Sequence, residues 1–237
     1  MPGLDVGAFF DGLESRLEGA RTYHAKSARL LGTRFNTFYF FQYEKQLSNI
    51  LADLLKPFGS HGQEGDFLNA FLSIFERDER TKSNNAIRGL RDRIGTGRLW
   101  VQPEEFTPGG RPIDIVISCD GFGLGIENKP WAGDQTGQLR AYAEYLSRAY
   151  AKGWMLVYIS GSGNPPTPDS LPQEMRLEYL QNGNYSEISY SDGLANWLNE
   201  CVRACDSDKV RWFLRDFRNF AILEFSTLRL AENNHAR

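Results

Sequence analysis

Two acidic residues and a lysine near the middle of the chain have the types and spacing suited to binding a divalent cation. Asp120 and Gly121 are typical of a two-residue turn between short strands, so they predict a β-hairpin. This turn places Asp114 directly opposite Glu127, with their Cβ atoms about 4.5–5.5 Å apart. Because side chains alternate along a strand, Lys129 is predicted on the same face as both carboxylates.

The other face of the hairpin is predicted to be apolar and to set its register. Ile115 faces Ile126 and Ile117 faces Leu124, and Ile113 is expected to extend this face. On the polar face, like charges opposite one another destabilise a sheet unless something neutralises them. Mg²⁺ would do so, because it takes oxygen ligands, usually one or two carboxylates with phosphate oxygens and waters. A hydrated polar face is the alternative, and the hairpin alone does not decide between them.

A third acid, Glu44, lies on the apolar stripe of a helix predicted over residues 36–56. Ionisable side chains are almost never fully buried without a partner. Glu44 is therefore paired with a nearby arginine such as Arg34, or tipped into solvent at the margin of the stripe, or directed at the same cation, which it would bind directly or through water.

The helix predicted after the hairpin, over residues 134–150, has a polar and aromatic edge formed by Gln135, Gln138, Tyr142 and Tyr145. These side chains suit hydrogen bonds to a phosphate or to a metal-bound water. An amphipathic edge that simply rests against the sheet explains this segment equally well.

The remaining pattern predicts an α/β chain in which these residues sit on short elements. Further helices are predicted at residues 5–31, 67–75, 192–205 and 208–231, and strands at 99–106, 112–118, 123–129, 154–160 and 185–190. The Gly/Pro-rich loop 161–172 is the best candidate for an internal boundary. We nevertheless predict a single domain over 1–237, with a core at about 36–160 and C-terminal additions over 171–231.

Composition excludes several classes of protein. The chain has 237 residues with 41% hydrophobic and 24% charged positions, which is typical of a globular protein. Its net charge of -3 argues against a globally basic nucleic-acid coat protein, although a local basic groove remains compatible. Three scattered histidines and three cysteines predict neither a zinc site nor a disulfide framework. No membrane span or signal peptide is evident, so a cytoplasmic protein is expected.

The constellation resembles the PD-(D/E)XK nuclease superfamily. The resemblance is carried by Arg111-Pro112-Ile113-Asp114 followed, after a hairpin, by Glu127-Asn128-Lys129. Glu44 resembles the first acidic motif of that superfamily, and Gln138 to Tyr142 resembles the Q-x-x-x-Y motif of its RecB-type and lambda-exonuclease branches. The resemblance covers roughly residues 36–160. It implies a restriction-endonuclease-like core, with a central mixed sheet of four to five strands flanked by helices.

The resemblance also implies roles for individual residues in Mg²⁺-dependent hydrolysis, with Mn²⁺ as a possible substitute. Asp114 and Glu127 would ligate the metal together with the Asn128 carbonyl, and Glu44 would bind a second metal or its water. Lys129 would orient or deprotonate the attacking water and offset the charge on the scissile phosphate.

Substrate contacts are expected from residues around these ligands. Gln138 is expected to act at the reacting centre, with Gln135, Tyr142, Arg111 and the turn histidine His61 contacting substrate. For His61 a local structural role is the alternative. Other candidates for phosphate contacts are Arg88, Arg91, Arg93 and Arg98.

Three functions are compatible with this pattern. The first is a nuclease acting on DNA, in defence against foreign DNA or in repair, as the superfamily suggests. The second is a catalytically inactive module that binds nucleic acid or protein, and the third is an enzyme acting on RNA or a nucleotide. The complete set of acids and lysine favours an active enzyme. A homodimer or a partner protein bound through the C-terminal helices is also expected.

Overall fold

The computed structural model describes residues 6–31, 35–41, 43–131, 133–161 and 163–235, which divide into two compact units. The first unit, Met1–Thr37, contains the 26-residue helix α1 (Val6–Leu31), in agreement with the helix predicted there. Several large apolar side chains of α1, including Phe10 and Leu17, are exposed. The second unit, Phe38–Arg237, contains all the acids discussed above.

A five-stranded mixed sheet forms the centre of the second unit, as the resemblance implied. Its strands lie in chain order: β1 (Trp100–Phe106), β2 (Pro112–Cys119), β3 (Phe122–Lys129), β4 (Gly153–Ser160) and β5 (Tyr185–Ser189). Strands β1, β2 and β3 are antiparallel, whereas β4 is parallel to both β3 and β5. Tight turns suffice for the antiparallel pairs, but each parallel step requires a helical crossover.

In the described part of the second unit, seven helices pack on the two faces of this sheet: α2 (Glu44–Leu55), α3 (Asp66–Arg77), α4 (Asn85–Arg91), α5 (Gln138–Ala149), α6 (Gln173–Gln181), α7 (Ala195–Ala204) and α8 (Asp208–His235). The larger apolar cluster contains residues of α2, α3, α4, α7 and α8 against one face. The smaller cluster packs α5 and α6 against the other. Among the described helices, none combines the length and apolar character needed to cross a bilayer.

The β2–β3 hairpin has the predicted register. Ile115 pairs with Ile126 and Ile117 with Leu124, and all four side chains lie in the larger cluster. Asp120 and Gly121 form the turn with positive φ angles of 48° and 90°, as tight hairpin turns of this kind require.

The predicted apolar face is wrong at Ile113, which packs in the smaller cluster on the opposite face. The β2–β3 pairing reaches only to Ile115, and the β1–β2 pairing skips the adjacent position, where Glu104 has a positive φ of 53°. The regular alternation of β2 therefore breaks at Asp114, because neither neighbouring strand pairs with it. This break opens the sheet at the predicted site.

Several predicted boundaries differ from the structure. The helix expected over 36–56 is interrupted, with a 3-10 turn at Thr37–Phe40 and α2 beginning only at Glu44. Tyr43 is extended because its N–H is capped by Gln46, and burial of Phe38 against Phe217 holds the preceding turn. Later helices start at Gln138, after left-handed Gly137, and at Ala195, after a π-helical turn. The loop 161–172 lies inside the second unit.

Candidate active site

Asp114 occupies the break in the sheet with its side chain. Its Oδ2 accepts a hydrogen bond of 2.8 Å from the backbone N–H of Asn128. In an extended strand the N–H and C=O of one residue point to the same neighbour, so the Asn128 carbonyl is also directed toward β2. Burial raises the pKa of Asp114, although the Asn128 N–H and Lys129 oppose this shift.

Glu127 is the most deeply buried acid of the site, with 1% of its surface exposed. Its Oε1 accepts hydrogen bonds from Gln138 Nε2 at 2.7 Å and from Lys129 Nζ at 2.8 Å. Among the described residues, its buried Oε2 has no hydrogen-bond partner. Burial, and then the nearby charge of Asp114, raise the pKa of Glu127 to about 8. A carboxylate oxygen in this position needs either a proton or a cation.

Lys129 is the ammonium group that faces these acids. Its Nζ lies 2.8 Å from Glu127 and 3.7 Å from Glu44, with only 13% of its side chain exposed. Burial by itself lowers the pKa of Lys129, but the neighbouring acids, Glu127 first, together outweigh that effect and raise the pKa above its ordinary value. One ammonium group thus faces the carboxyl groups of Glu44, Asp114 and Glu127.

Glu44 approaches the hairpin from the first turn of α2. This position is favourable for an acid, because the N-terminal end of a helix carries partial positive charge. Its Oε1 accepts a hydrogen bond of 3.3 Å from the backbone N–H of Trp131, two residues beyond Lys129. The structure thus brings together Glu44, Asp114, Glu127 and Lys129.

Asn128 is held rigidly by two side chains that the sequence analysis did not assign to the site. It is fully buried, and its amide donates to Ser48 Oγ at 3.0 Å and accepts from Tyr190 OH at 2.8 Å. Ser48 is one helical turn beyond Glu44, and this spacing was the available signal for it. Tyr190 had no such signal, because it is 62 residues away in the chain.

The Gln and Tyr side chains of α5 support the acids from the second face of the sheet. Besides Glu127, Gln138 Nε2 contacts Tyr142 OH at 3.0 Å, and the Tyr142 hydroxyl donates to the Pro112 carbonyl. Burial raises the pKa of Tyr142 to about 12, and only 1% of this residue is exposed. The pair therefore orients Glu127 and anchors the start of β2. Gln135 is exposed, and its backbone N–H donates to Gln138 Oε1.

Several expected substrate contacts are engaged elsewhere in the structure. Arg111 donates to the Thr136 carbonyl at 2.8 Å. His61 is buried in the turn after α2, where its Nδ1 accepts from the Gln63 N–H and its Nε2 lies 3.0 Å from the Lys56 carbonyl. Both ring nitrogens are thereby used to stabilise that turn.

The arginines of α4 and the segment after it are also not brought to the acids. Arg91 forms an ion pair with Glu76, and Arg93 forms one with Asp120 at the turn end of the β2–β3 hairpin. That turn is at the opposite end of β2 from Asp114.

The donor set fits a divalent cation completed by water and substrate. Within the described part of the chain, no three Asp, Glu, His or Cys side chains converge closely enough to hold a metal by themselves. Asp114, the partnerless Oε2 of Glu127 and the Asn128 carbonyl nevertheless supply oxygen ligands of the kind that Mg²⁺ prefers. Mg²⁺ commonly takes its remaining ligands from waters and phosphate.

Comparison with known protein families gives one match. The chain matches a family model described as the PD-(D/E)XK nuclease superfamily over residues 35–219, more than three quarters of its length. The match extends well beyond residues 36–160, so β5, α6 and α7 also belong to the family's pattern. Searches of curated proteins and of solved structures found no match.

Proposed function

The chain belongs to the PD-(D/E)XK nuclease superfamily, and we propose that it is a divalent-cation-dependent nuclease that hydrolyses phosphodiester bonds in DNA. The observation that carries the metal dependence is the buried Oε2 of Glu127 beside Asp114, an oxygen that has no hydrogen-bond partner within the described residues. A protein gains nothing in stability from such an oxygen, whereas a metal-dependent nuclease requires one.

The proposal gives each residue of the site a role. Asp114, Glu127 and the Asn128 carbonyl would hold Mg²⁺ or Mn²⁺, which when bound polarises the phosphate and lowers the pKa of its water. Lys129, kept protonated by Glu127, places a positive charge where negative charge develops on the phosphate. In this state Lys129 orients the attacking water by donating a hydrogen bond. Glu44 Oε2 lies 3.7 Å from the same ammonium group and adds a second electrostatic restraint on Lys129.

Gln138 and Tyr142 act through Glu127 rather than on substrate. Because Gln138 Nε2 occupies Oε1 of Glu127, the other oxygen of that carboxylate is left for the metal. The hydroxyl of Tyr142 fixes Gln138 in turn. Such outer contacts typically determine the orientation of a metal ligand.

Cleavage of supercoiled plasmid and end-labelled linear DNA, with Mg²⁺ or Mn²⁺ and with excess EDTA, tests this proposal. We expect metal-dependent cleavage by the wild type and by Glu105→Gln, a control substitution on β1 outside the site. Asp114→Asn should abolish cleavage while leaving the circular dichroism spectrum unchanged. Cleavage that persists in EDTA or in the Asp114→Asn variant would refute the proposed mechanism.

Parallel assays separate this proposal from its alternatives. If an RNA of the same sequence is cleaved faster than the DNA, the preferred substrate is RNA and not DNA. Failure to bind Mn²⁺ in calorimetry, with DNA present, would instead favour a non-catalytic binding module. We propose a role in defence against foreign DNA or in repair because members of the superfamily commonly have such roles.

A further inference from the structure

Two half-exposed aromatic rings pack on one buried ring and have no part in the metal chemistry. Trp131 is 38% exposed and Tyr39 is 49% exposed. Both rings pack on Phe220, with centroid distances of 6.3 Å for Trp131 and 5.7 Å for Tyr39. Phe220 is buried, so it forms a fixed base under the two rings. We refer to Trp131 and Tyr39 as the aromatic pair.

Trp131 is tied directly to the candidate active site. It follows Lys129 by two residues, and its backbone N–H donates to Glu44 Oε1 at 3.3 Å. Its ring also contacts the buried ring of Phe225 at 5.9 Å. Because its backbone and its ring are both anchored, the position of Trp131 relative to the acids is fixed before substrate binds.

Two lysines next to Glu44 are already engaged in ion pairs. Lys129 is paired with Glu127, and Lys45 is paired with Glu104 at 2.8 Å. The chain as a whole carries a net charge of -3. Phosphate contacts alone normally supply most of the affinity for a nucleic acid, and they depend on available positive charge. Stacking of bases on aromatic rings adds affinity that does not depend on that charge.

We propose that the aromatic pair stacks on unpaired bases next to the scissile phosphate, so that single-stranded DNA or a frayed end is the preferred substrate. This inference rests on the proposed function, because it places the nucleic acid at the acids. Bases within a duplex have both faces covered by their neighbours, so only an unpaired nucleotide can offer a face to Trp131.

Fluorescence anisotropy with a labelled 20-mer of deoxythymidine, in EDTA to prevent cleavage, tests the stacking. Trp131→Ala should weaken binding about tenfold, whereas Trp131→Phe, which keeps an aromatic face, should remain within about threefold of wild type. Trp100→Ala is the matched control, because Trp100 is exposed at the far end of β1 and should not affect binding. Tyr39→Ala should weaken binding in the same direction as Trp131→Ala.

Two further measurements distinguish stacking from a structural role of the ring. Wild-type protein should bind a 20-mer of abasic residues as weakly as Trp131→Ala binds the normal 20-mer. Binding of the normal 20-mer should quench tryptophan fluorescence, and Trp131→Phe should lose that quenching while retaining affinity. An equal loss of affinity for a 20-base-pair duplex in Trp131→Ala would overturn the proposal, as would unchanged affinity for the single strand.

The outcome is separable from that of the proposed function. If cleavage depends on metal but Trp131→Ala does not affect single-strand binding, the stacking role of the aromatic pair is refuted and the nuclease proposal stands. Binding that depends on Trp131, without cleavage in any metal, would support the stacking and refute the nuclease.

Discussion

The pH dependence of stability in metal-free protein tests the buried acids most directly. The pKa of Glu127 is raised from 4.5 to about 8, first by burial and then by Asp114. In the unfolded chain this carboxyl ionises near 4.5, whereas the folded protein keeps it protonated until about 8. Between these values the folded state binds the additional proton. Its stability is therefore complete below 4.5 and is lost as the pH rises toward 8.

The size of this loss follows from the width of the window. Each pH unit within it corresponds to about 1.4 kcal/mol of unfolding free energy, so the whole window corresponds to on the order of 5 kcal/mol. From pH 5.5 to 7.5 the loss is about 3 kcal/mol, or roughly 5–11 °C in Tm for a protein of this length. Lys129 does not contribute to the pH dependence of stability in this window, because its raised pKa keeps it protonated throughout. The raised pKa of Asp114 changes the unfolding free energy in the same direction as that of Glu127.

Glu127→Gln removes the ionisation and keeps the shape of the side chain, including an oxygen that can accept from Gln138 and Lys129. Thermal unfolding in EDTA is followed by circular dichroism at both pH values. The Tm of this variant relative to that of the wild type should rise by roughly 5–11 °C from pH 5.5 to pH 7.5. Glu105→Gln should keep the wild-type pH dependence, because it leaves Glu127 and Asp114 in place. Both Tyr145 and Tyr150 donate to Glu105 Oε1, which a glutamine preserves.

Adding metal should narrow the difference in stability between the wild type and Glu127→Gln. At pH 7.5, Mn²⁺ at about 100 times its dissociation constant should stabilise the wild type by about 2.7 kcal/mol and Glu127→Gln far less. A constant difference in Tm between the two proteins across the pH range would refute the raised pKa of Glu127. Equal stabilisation of both proteins by Mn²⁺ would refute its assignment as a ligand.

Three other substitutions probe the contacts around these acids. Lys129→Met should destabilise the metal-free protein by about 3–5 kcal/mol at pH 8 and by less at pH 5.5, where Glu127 is protonated; urea unfolding at both values checks this. Asn128→Leu leaves the buried hydroxyl of Tyr190 without an acceptor and should lower the free energy of unfolding by about 1–3 kcal/mol. In a double-mutant cycle, adding Tyr190→Phe should restore part of that lost stability. Gln138→Ala should lower Mn²⁺ affinity about 10–100-fold in calorimetry, because Glu127 loses its orienting donor, whereas unchanged affinity would rule out that role.

Local sequence determined the elements that carry the site. The Asp120-Gly121 turn and the alternation of isoleucines specified the β2–β3 register, which brings Asp114 and Glu127 onto adjacent strands. The helix after the hairpin and the positions of the strands along the chain could also be predicted from the sequence, because periodicity and turn chemistry act over only a few residues. The candidate ligands could therefore be named without a structure.

Only tertiary structure decided how those residues are oriented and supported. The break at Asp114, which turns Ile113 to the other face, depends on strands that separate and on the strained backbone of Glu104. Asn128 is fixed by Tyr190, 62 residues away, and Glu44 meets the backbone of Trp131, 87 residues away. Contacts between such distant segments arise from packing around the whole core and leave no periodic trace in the chain, whereas a hairpin is specified by its own turn.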